Sequence, residues 1–155
     1  MPIGAIKNTQ NKTNETAASA DLTIDGSFAI RKLFQSSQAA IGIPVKMTIA
    51  IDNTGSSTLT QASFTDEFPV APGRLLIADD PKIENTCGGA VTATPKANRF
   101  SLSNGVVPAG GCAVSVMVLA DEVGDYLNVI ADGGTSGKPN GLQGRLPDGS
   151  PLGSA

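Results

Sequence analysis

Three polar side chains interrupt rows of apolar residues in segments that have the pattern of β-strands. Side chains alternate between the two faces of a strand, so every second residue shares a face. By this spacing each polar residue lies in a row with large apolar side chains: Lys32 in FAIRKLF, Asp66 in ASFTDEF and Asn128 in YLNVI. Because an unpaired buried charge is costly, the amine, the carboxyl and the carboxamide are expected to satisfy one another inside the fold.

A buried amine, carboxyl and carboxamide can react as well as form hydrogen bonds. Desolvation favours neutral forms, which lowers the pKa of a lysine and raises that of an aspartate. A neutral Lys32 amine is a nucleophile, and a protonated Asp66 can polarise the Asn128 carboxamide and shuttle protons as ammonia leaves. The product is a Lys32–Asn128 isopeptide bond, which requires a fold that holds the atoms in near-attack geometry.

Two other interpretations of the three residues stay open. They can form a noncovalent buried cluster, or they can have separate surface roles. In the second case Lys32 extends its amine to the end of the fold, Asp66 caps the following turn and Asn128 bonds to backbone at an edge. Strand parity does not choose among the covalent bond, the noncovalent cluster and the surface roles, since it does not say how deep in the fold each residue lies.

The segments around these residues also read as strands. The plainest half-buried strand is PVKMTIAI, with an inward row of Val45, Met47, Ile49 and Ile51. Residues 87–119 divide into three short strands at Pro, Asn-Gly and Gly-Gly breaks. The last of these has an inward row of Val114, Val116 and Val118. Residues 22–24 are expected to form a short first strand, residues 75–77 a short middle one and residues 124–130 the final one.

The spacing of the strands and the composition of the chain predict the fold class. Strands recur at roughly 10-residue spacing with turn signals between them, and aromatic residues are few, with no Trp, one Tyr and five Phe. These features favour an all-β, two-sheet β-sandwich with Greek-key connections. Residues 1–20 read as a flexible arm. Residues 132–155 form a Gly/Pro/Ser-rich tail that is expected to bury little and to serve as a linker or extended contact segment.

The composition argues against several classes of function. The chain has no histidine, which removes the commonest general base and every Ser-His-Asp arrangement, so no enzyme acting on an external substrate is expected. Two cysteines are too few for a thiolate zinc site. A net charge of −3 without a basic cluster disfavours nucleic acid. No apolar run approaches the roughly 20 residues of a membrane helix, and no cofactor is predicted.

Acidic residues cluster near two predicted turns, at Asp79-Asp80 and at Asp121-Glu122 with Asp125. Calcium takes oxygen ligands from loops of this kind. Solvated acidic turns are far commoner, so no metal site is predicted.

Several phrases, taken in order, resemble the immunoglobulin-like conserved-repeat domains of bacterial surface proteins. They are KLF, PVKMTIAIDNTGSSTLTQASFTDEFP, TCGGAVTA, SLSNGVVPAGGCAVSVMV and GDYLNVI. The family pattern is a strand lysine, L-T-x-x-x-F-T-D-x-x-P, T-C-G-G, P-A-G-G-x-C and G-x-Y-x-N. The resemblance covers about residues 21–131 and leaves out both tails.

The resemblance implies that residues 21–131 form an immunoglobulin-like sandwich that is secreted or surface-displayed and used as a spacer, stalk or adhesive module. Lys32, Asp66 and Asn128 fall on its recurrent lysine, aspartate and asparagine, an arrangement similar to self-crosslinking pilin and adhesin domains. The resemblance also implies a disulfide between Cys87 and Cys112, and hence an oxidising location. Two reduced, buried cysteines are the alternative.

Two functional hypotheses follow. The first is a structural, non-catalytic module of a surface or extracellular protein, such as an adhesin spacer. The second is a self-contained assembly subunit, such as a phage capsid decoration protein in a virion or an extracellular filament protomer. In the second, the arms or sheet edges contact protein neighbours, including other copies of the chain. The start of the chain lacks a signal-peptide pattern, so either a leader was removed or export follows another route, as for a virion component.

Overall fold

The computed structural model describes residues 28–126, 128 and 141–152. Nine strands form in this part of the chain, and none of its residues is helical. They are β1 (Phe28–Phe34), β2 (Val45–Asn53), β3 (Leu59–Glu67), β4 (Leu75–Ile77), β5 (Glu84–Asn85), β6 (Ala90–Thr92), β7 (Arg99–Val107), β8 (Cys112–Ala120) and β9 (Gln143–Arg145). The predicted arm and the predicted strand at 22–24 lie outside the described residues.

The strands form two antiparallel sheets around one core. The first sheet has the order β1-β2-β8-β4, with β5 also paired to β8, and the second has the order β9-β3-β7-β6. Neighbours in the sheets are often far apart in sequence, as in the pairs of β2 with β8 and β3 with β7. The predicted all-β sandwich is confirmed.

The core consists of the inward rows of the long strands. β2 and β8 bury most of the alternating residues that their spacing predicted: Met47, Ile49, Ile51, Val114, Val116 and Val118. Val45, which begins β2 and belongs to the same predicted row, is only half-buried. From the other sheet, Phe64 packs edge-on against Phe100 with the ring centroids 5.6 Å apart. Large apolar side chains at alternate positions therefore decide which face of each sheet turns inward.

The final predicted strand and one predicted break differ from the structure. Residues 124–126 and 128 are not in a strand, and the remainder of 124–130 lies outside the described residues. The Asn-Gly pair does not end a strand. Asn104 has a φ of 58° and lies with Gly105 inside β7, where the pairing with β3 shifts register. The extra residue is accommodated as a bulge, so the strand continues beyond the turn signal.

Residues 141–152 of the C-terminal segment are part of the sandwich, and the expectation that the segment buries little is wrong for them. β9 pairs with β3, and Leu142 and Leu152 are 0% and 3% exposed. Composition misled here because two leucines among glycines and prolines carry little periodic signal. A three-residue strand gains its stability from the edge of β3, which lies far away in sequence. The described residues contain no helix that is long and apolar enough to cross a membrane.

Shortening Leu142 tests whether this segment belongs to the core. Leu142→Ala is expected to lower the free energy of unfolding by about 2–5 kcal/mol, because it removes a fully buried side chain. The matched control is Leu33→Ala, since Leu33 is 45% exposed and its loss is expected to cost under about 1 kcal/mol. Urea unfolding of both variants measures the difference, and equal small effects would contradict the placement of Leu142.

Candidate functional site

Lys32 enters the core from the edge of the first sheet. Its backbone on β1 lies opposite Ile49 of β2, and Phe28 and Ile30 on the same face are buried. Two residues further on, Phe34 is 38% exposed. Lys32 therefore occupies the last buried position of its row, and its side chain is 7% exposed.

Asp66 meets the lysine from the second sheet. It lies on β3 opposite Phe100, between the buried Phe64 and Phe68, and its side chain is 0% exposed. The Lys32 Nζ lies 2.6 Å from the Asp66 Oδ1. Since β1 and β3 belong to different sheets, this ion pair crosses the interior of the sandwich.

Asn128 completes the cluster from the segment that follows β8. It is 8% exposed, and its Nδ2 lies 3.4 Å from the Asp66 Oδ2 and 3.5 Å from the Met47 Sδ. Its Oδ1 is buried without a hydrogen-bond partner in the described structure. The structure thus brings together all three residues that strand parity singled out, with one carboxyl oxygen on the amine and the other on the carboxamide.

Burial shifts both titrating groups of the cluster toward their neutral forms. Desolvation raises the pKa of Asp66, against the opposing effects of the Lys32 charge and of hydrogen bonds from Lys32 and Asn128. Desolvation also lowers the pKa of Lys32, against the charge and hydrogen bond of Asp66. The groups lie within hydrogen-bond distance, so one proton can pass directly from the amine to the carboxyl. The arrangement can therefore generate a neutral amine beside a neutral acid.

Cys87 and Cys112 form a disulfide, with the two sulfurs 2.10 Å apart. Cys112 begins β8 in the first sheet, whereas Cys87 lies between β5 and β6, where the chain passes from the first sheet to the second. Asn85 orders this crossing, because its Oδ1 accepts from the Cys87 N–H and its Nδ2 donates to the Gly88 carbonyl. In the chain-entropy picture a crosslink over 25 residues contributes about 3–4 kcal/mol.

The acidic turn residues are mostly paired with cations. The Asp79 carboxylate contacts Lys96, Asp80 contacts Lys82, and Asp121 contacts Arg74. Among the described residues, no group of three or more Cys, Asp or Glu side chains is arranged to hold a metal ion.

Two features next to the cluster were missed by sequence reasoning. Met47 was predicted only as a core residue, and nothing in its spacing indicates contact with an amide 81 positions away.

The second feature is a cavity of about 580 Å³. It is lined in part by Phe34, Val45 and Tyr126, each of which lies two residues from a member of the cluster or from Met47. It forms where the β1–β2 loop meets residues 118–126, a proximity that only the tertiary structure creates.

The raised pKa of Asp66 predicts a specific pH dependence of stability. At pH values between 3.8, the ordinary pKa of an aspartate, and the higher pKa of Asp66 in the folded chain, the folded chain holds a proton that the unfolded chain has released. The stability advantage of the wild type over Asp66→Asn is therefore expected to fall as pH rises through this window. The sign does not depend on whether the amine has reacted, since losing its charge removes an effect that lowers the pKa.

An exposed aspartate supplies a control of opposite sign. The hydrogen bond from Arg31 holds the pKa of Asp52 below its ordinary value. The stability advantage of the wild type over Asp52→Asn is therefore present at pH values above the ordinary pKa of an aspartate, and it is lost as pH falls through the lower pKa of folded Asp52. Urea unfolding of the three proteins across the acid range measures both slopes. Parallel slopes for the two variants would contradict the assignment.

Comparison with known proteins places the chain in a family. The family model described as "Domain of unknown function (DUF7933)" matches residues 29–144, a range that contains the three cluster residues and both cysteines. No curated protein and no solved structure matches the chain. Because the family match covers most of the sequence, the protein belongs to the DUF7933 family.

Proposed function

We propose that this protein is a structural, non-catalytic β-sandwich module of a surface or extracellular protein. In this proposal the module serves as a stalk or adhesin spacer that is held together by the disulfide and by an internal isopeptide bond between Lys32 and Asn128. One observation carries the proposal. The Asp66 carboxyl lies 2.6 Å from the Lys32 amine and 3.4 Å from the Asn128 amide nitrogen, inside the core.

The reaction uses only atoms of the cluster. A proton moves from Nζ to the Asp66 Oδ1, and the neutral amine attacks the Asn128 Cγ. As the Nζ–Cγ bond forms and the Cγ–Nδ2 bond breaks, Asp66 passes its proton to Nδ2 and accepts the second proton from Nζ. The products are an isopeptide bond, ammonia and a protonated Asp66, and the net charge of the site stays zero throughout.

Burial of the cluster supports a reactive role over a purely stabilising one. A buried ion pair gives little net stability, because desolvation offsets the attraction between the charges. Crosslinking removes both charges from the core, since the amine becomes an amide and the carboxyl retains a proton. The low exposure of all three side chains also limits competition from water.

The two crosslinks suit a module that resists extension. A Lys32–Asn128 bond joins β1 to the segment after β8, so residues 33–127 lie within one closed loop. The Cys87–Cys112 disulfide is nested inside that loop. Tension applied beyond residues 32 and 128 would pass through the covalent bond and bypass the strands inside the loop, β2 to β8, while β9 and residues 28–31 of β1 would stay under load.

The disulfide supports an extracellular or surface location. Disulfides persist in oxidising compartments and are rare where thiols are kept reduced. The resemblance to conserved-repeat domains of bacterial surface proteins points the same way.

A second candidate is an assembly subunit, such as a virion decoration protein or filament protomer. It is favoured by exposed apolar side chains around the cavity: Phe34, Ile41, Ile43 and Val123. Apolar patches of this kind are common at protein–protein contacts.

Intact mass tests the covalent part of the proposal. The oxidised wild type is expected to weigh less than its sequence by one ammonia and two hydrogens, and reduction restores only the hydrogens. Lys32→Met and Asp66→Asn are expected to retain the ammonia, because one lacks the nucleophile and the other the proton shuttle. Lys46→Met removes a surface ion pair and serves as the control, and it is expected to lose one ammonia as the wild type does. A folded wild type of full mass after reduction would rule out the crosslink.

Sedimentation separates the two candidate functions. A spacer module is expected to stay monomeric as its concentration rises. An assembly subunit is expected to form oligomers that Ile43→Asp disrupts and Val70→Asp, at an exposed site outside the cavity, does not. Concentration-dependent oligomers with this pattern would favour the second candidate.

A further inference from the structure

Among the residues that the structure describes, the Asn128 carboxamide is held by its nitrogen alone. Its two hydrogen-bond contacts within the described structure, to the Asp66 Oδ2 and the Met47 Sδ, belong to Nδ2, whereas the buried Oδ1 has no partner there. A half-turn of the amide would place the oxygen against a carboxylate oxygen and a thioether sulfur. Both of these are acceptors and would repel it.

This orientation matters for the crosslinking step, on which the present inference rests. Nδ2 is the atom that must leave as ammonia, and it needs a proton as the Cγ–Nδ2 bond breaks. With Nδ2 turned toward Asp66, the carboxyl lies between the nucleophile and the leaving group and can serve both. With the amide reversed, the leaving nitrogen would point away from its proton donor.

Met47 is fixed where it can select this orientation. It is 0% exposed and lies on β2 between Phe34 of β1 and Val116 of β8. Its sulfur is a weak hydrogen-bond acceptor, so it attracts an N–H and not a carbonyl oxygen. The Asp66 contact weakens as an anchor once that carboxyl takes the lysine proton, and the thioether then remains as a neutral acceptor for the second N–H.

We propose that Met47 is a positioning residue for isopeptide formation, its thioether holding the Asn128 carboxamide with the leaving nitrogen toward Asp66. Leucine has a similar volume and no acceptor, so Met47→Leu isolates the contribution of the sulfur. The matched control is Met117→Leu, the same exchange on the neighbouring strand β8, where Lys46 is the residue opposite.

The rate of ammonia loss tests the inference. Chains are made by cell-free synthesis under oxidising conditions in a short pulse, sampled into denaturing acid and weighed intact over time. Met47→Leu is expected to slow the loss of ammonia by about three- to tenfold, the factor that corresponds to one weak hydrogen bond. Met117→Leu is expected to follow the wild type. If both variants react at the wild-type rate, or both slow equally, the positioning role is overturned.

A second measurement does not depend on the reaction. In a Lys32→Met background, which lacks the nucleophile, the side-chain amide protons of Asn128 are observed by ¹⁵N NMR. Adding Met47→Leu is expected to move one of the two signals upfield and to speed its exchange with water, and adding Met117→Leu is not. Unchanged signals would overturn the inference. A wild type that folds and never loses ammonia would instead show that the proposed crosslink itself fails, and the positioning role with it.

Discussion

The arrangement of this sandwich depends on one ion pair placed where charges are costly. Lys32 and Asp66 approach from opposite sheets and meet at 2.6 Å, with side chains that are 7% and 0% exposed. Removing one partner would leave the other buried and unpaired, which is strongly destabilising, whereas the intact pair adds little net stability. The pair therefore constrains the relative position of the two sheets more than it strengthens the fold. The Asn128 carboxamide contacts the same carboxyl, with its Nδ2 3.4 Å from the Asp66 Oδ2.

The apolar surroundings of the pair shift the protonation of both groups. Desolvation works against the mutual attraction of the two groups and moves each toward its neutral form. A neutral amine beside a neutral acid is a poor salt bridge and a competent nucleophile with its proton shuttle. The same burial that makes the ion pair a weak stabiliser therefore supports the proposed reaction, in which an isopeptide bond would replace two buried charges with one amide.

The disulfide and the cluster act at different places in the same topology. Cys87–Cys112 ties the chain where it crosses from one sheet to the other, and the cluster joins β1 to β3 and to the segment that follows β8. The packing of β9 along β3, with Leu142 in the core, extends the same sandwich beyond the segment that bears Asn128.

The alternation of apolar side chains was enough to identify the inward faces of β2 and β8 and to single out Lys32 and Asp66, because strand parity is a local property with a period of two residues. The same parity singled out Asn128, although residues 126 and 128 are not in a strand. Parity does not define depth, and depth decided whether these groups met or reached solvent. Contact between them required the register of β1 on β2 and the packing of one sheet on the other, which arise among segments distant in the chain. The same holds for Met47 beside Asn128, for the bulge at Asn104 and for the burial of Leu142. In each case the partner is far away in sequence, so only the tertiary structure could supply it.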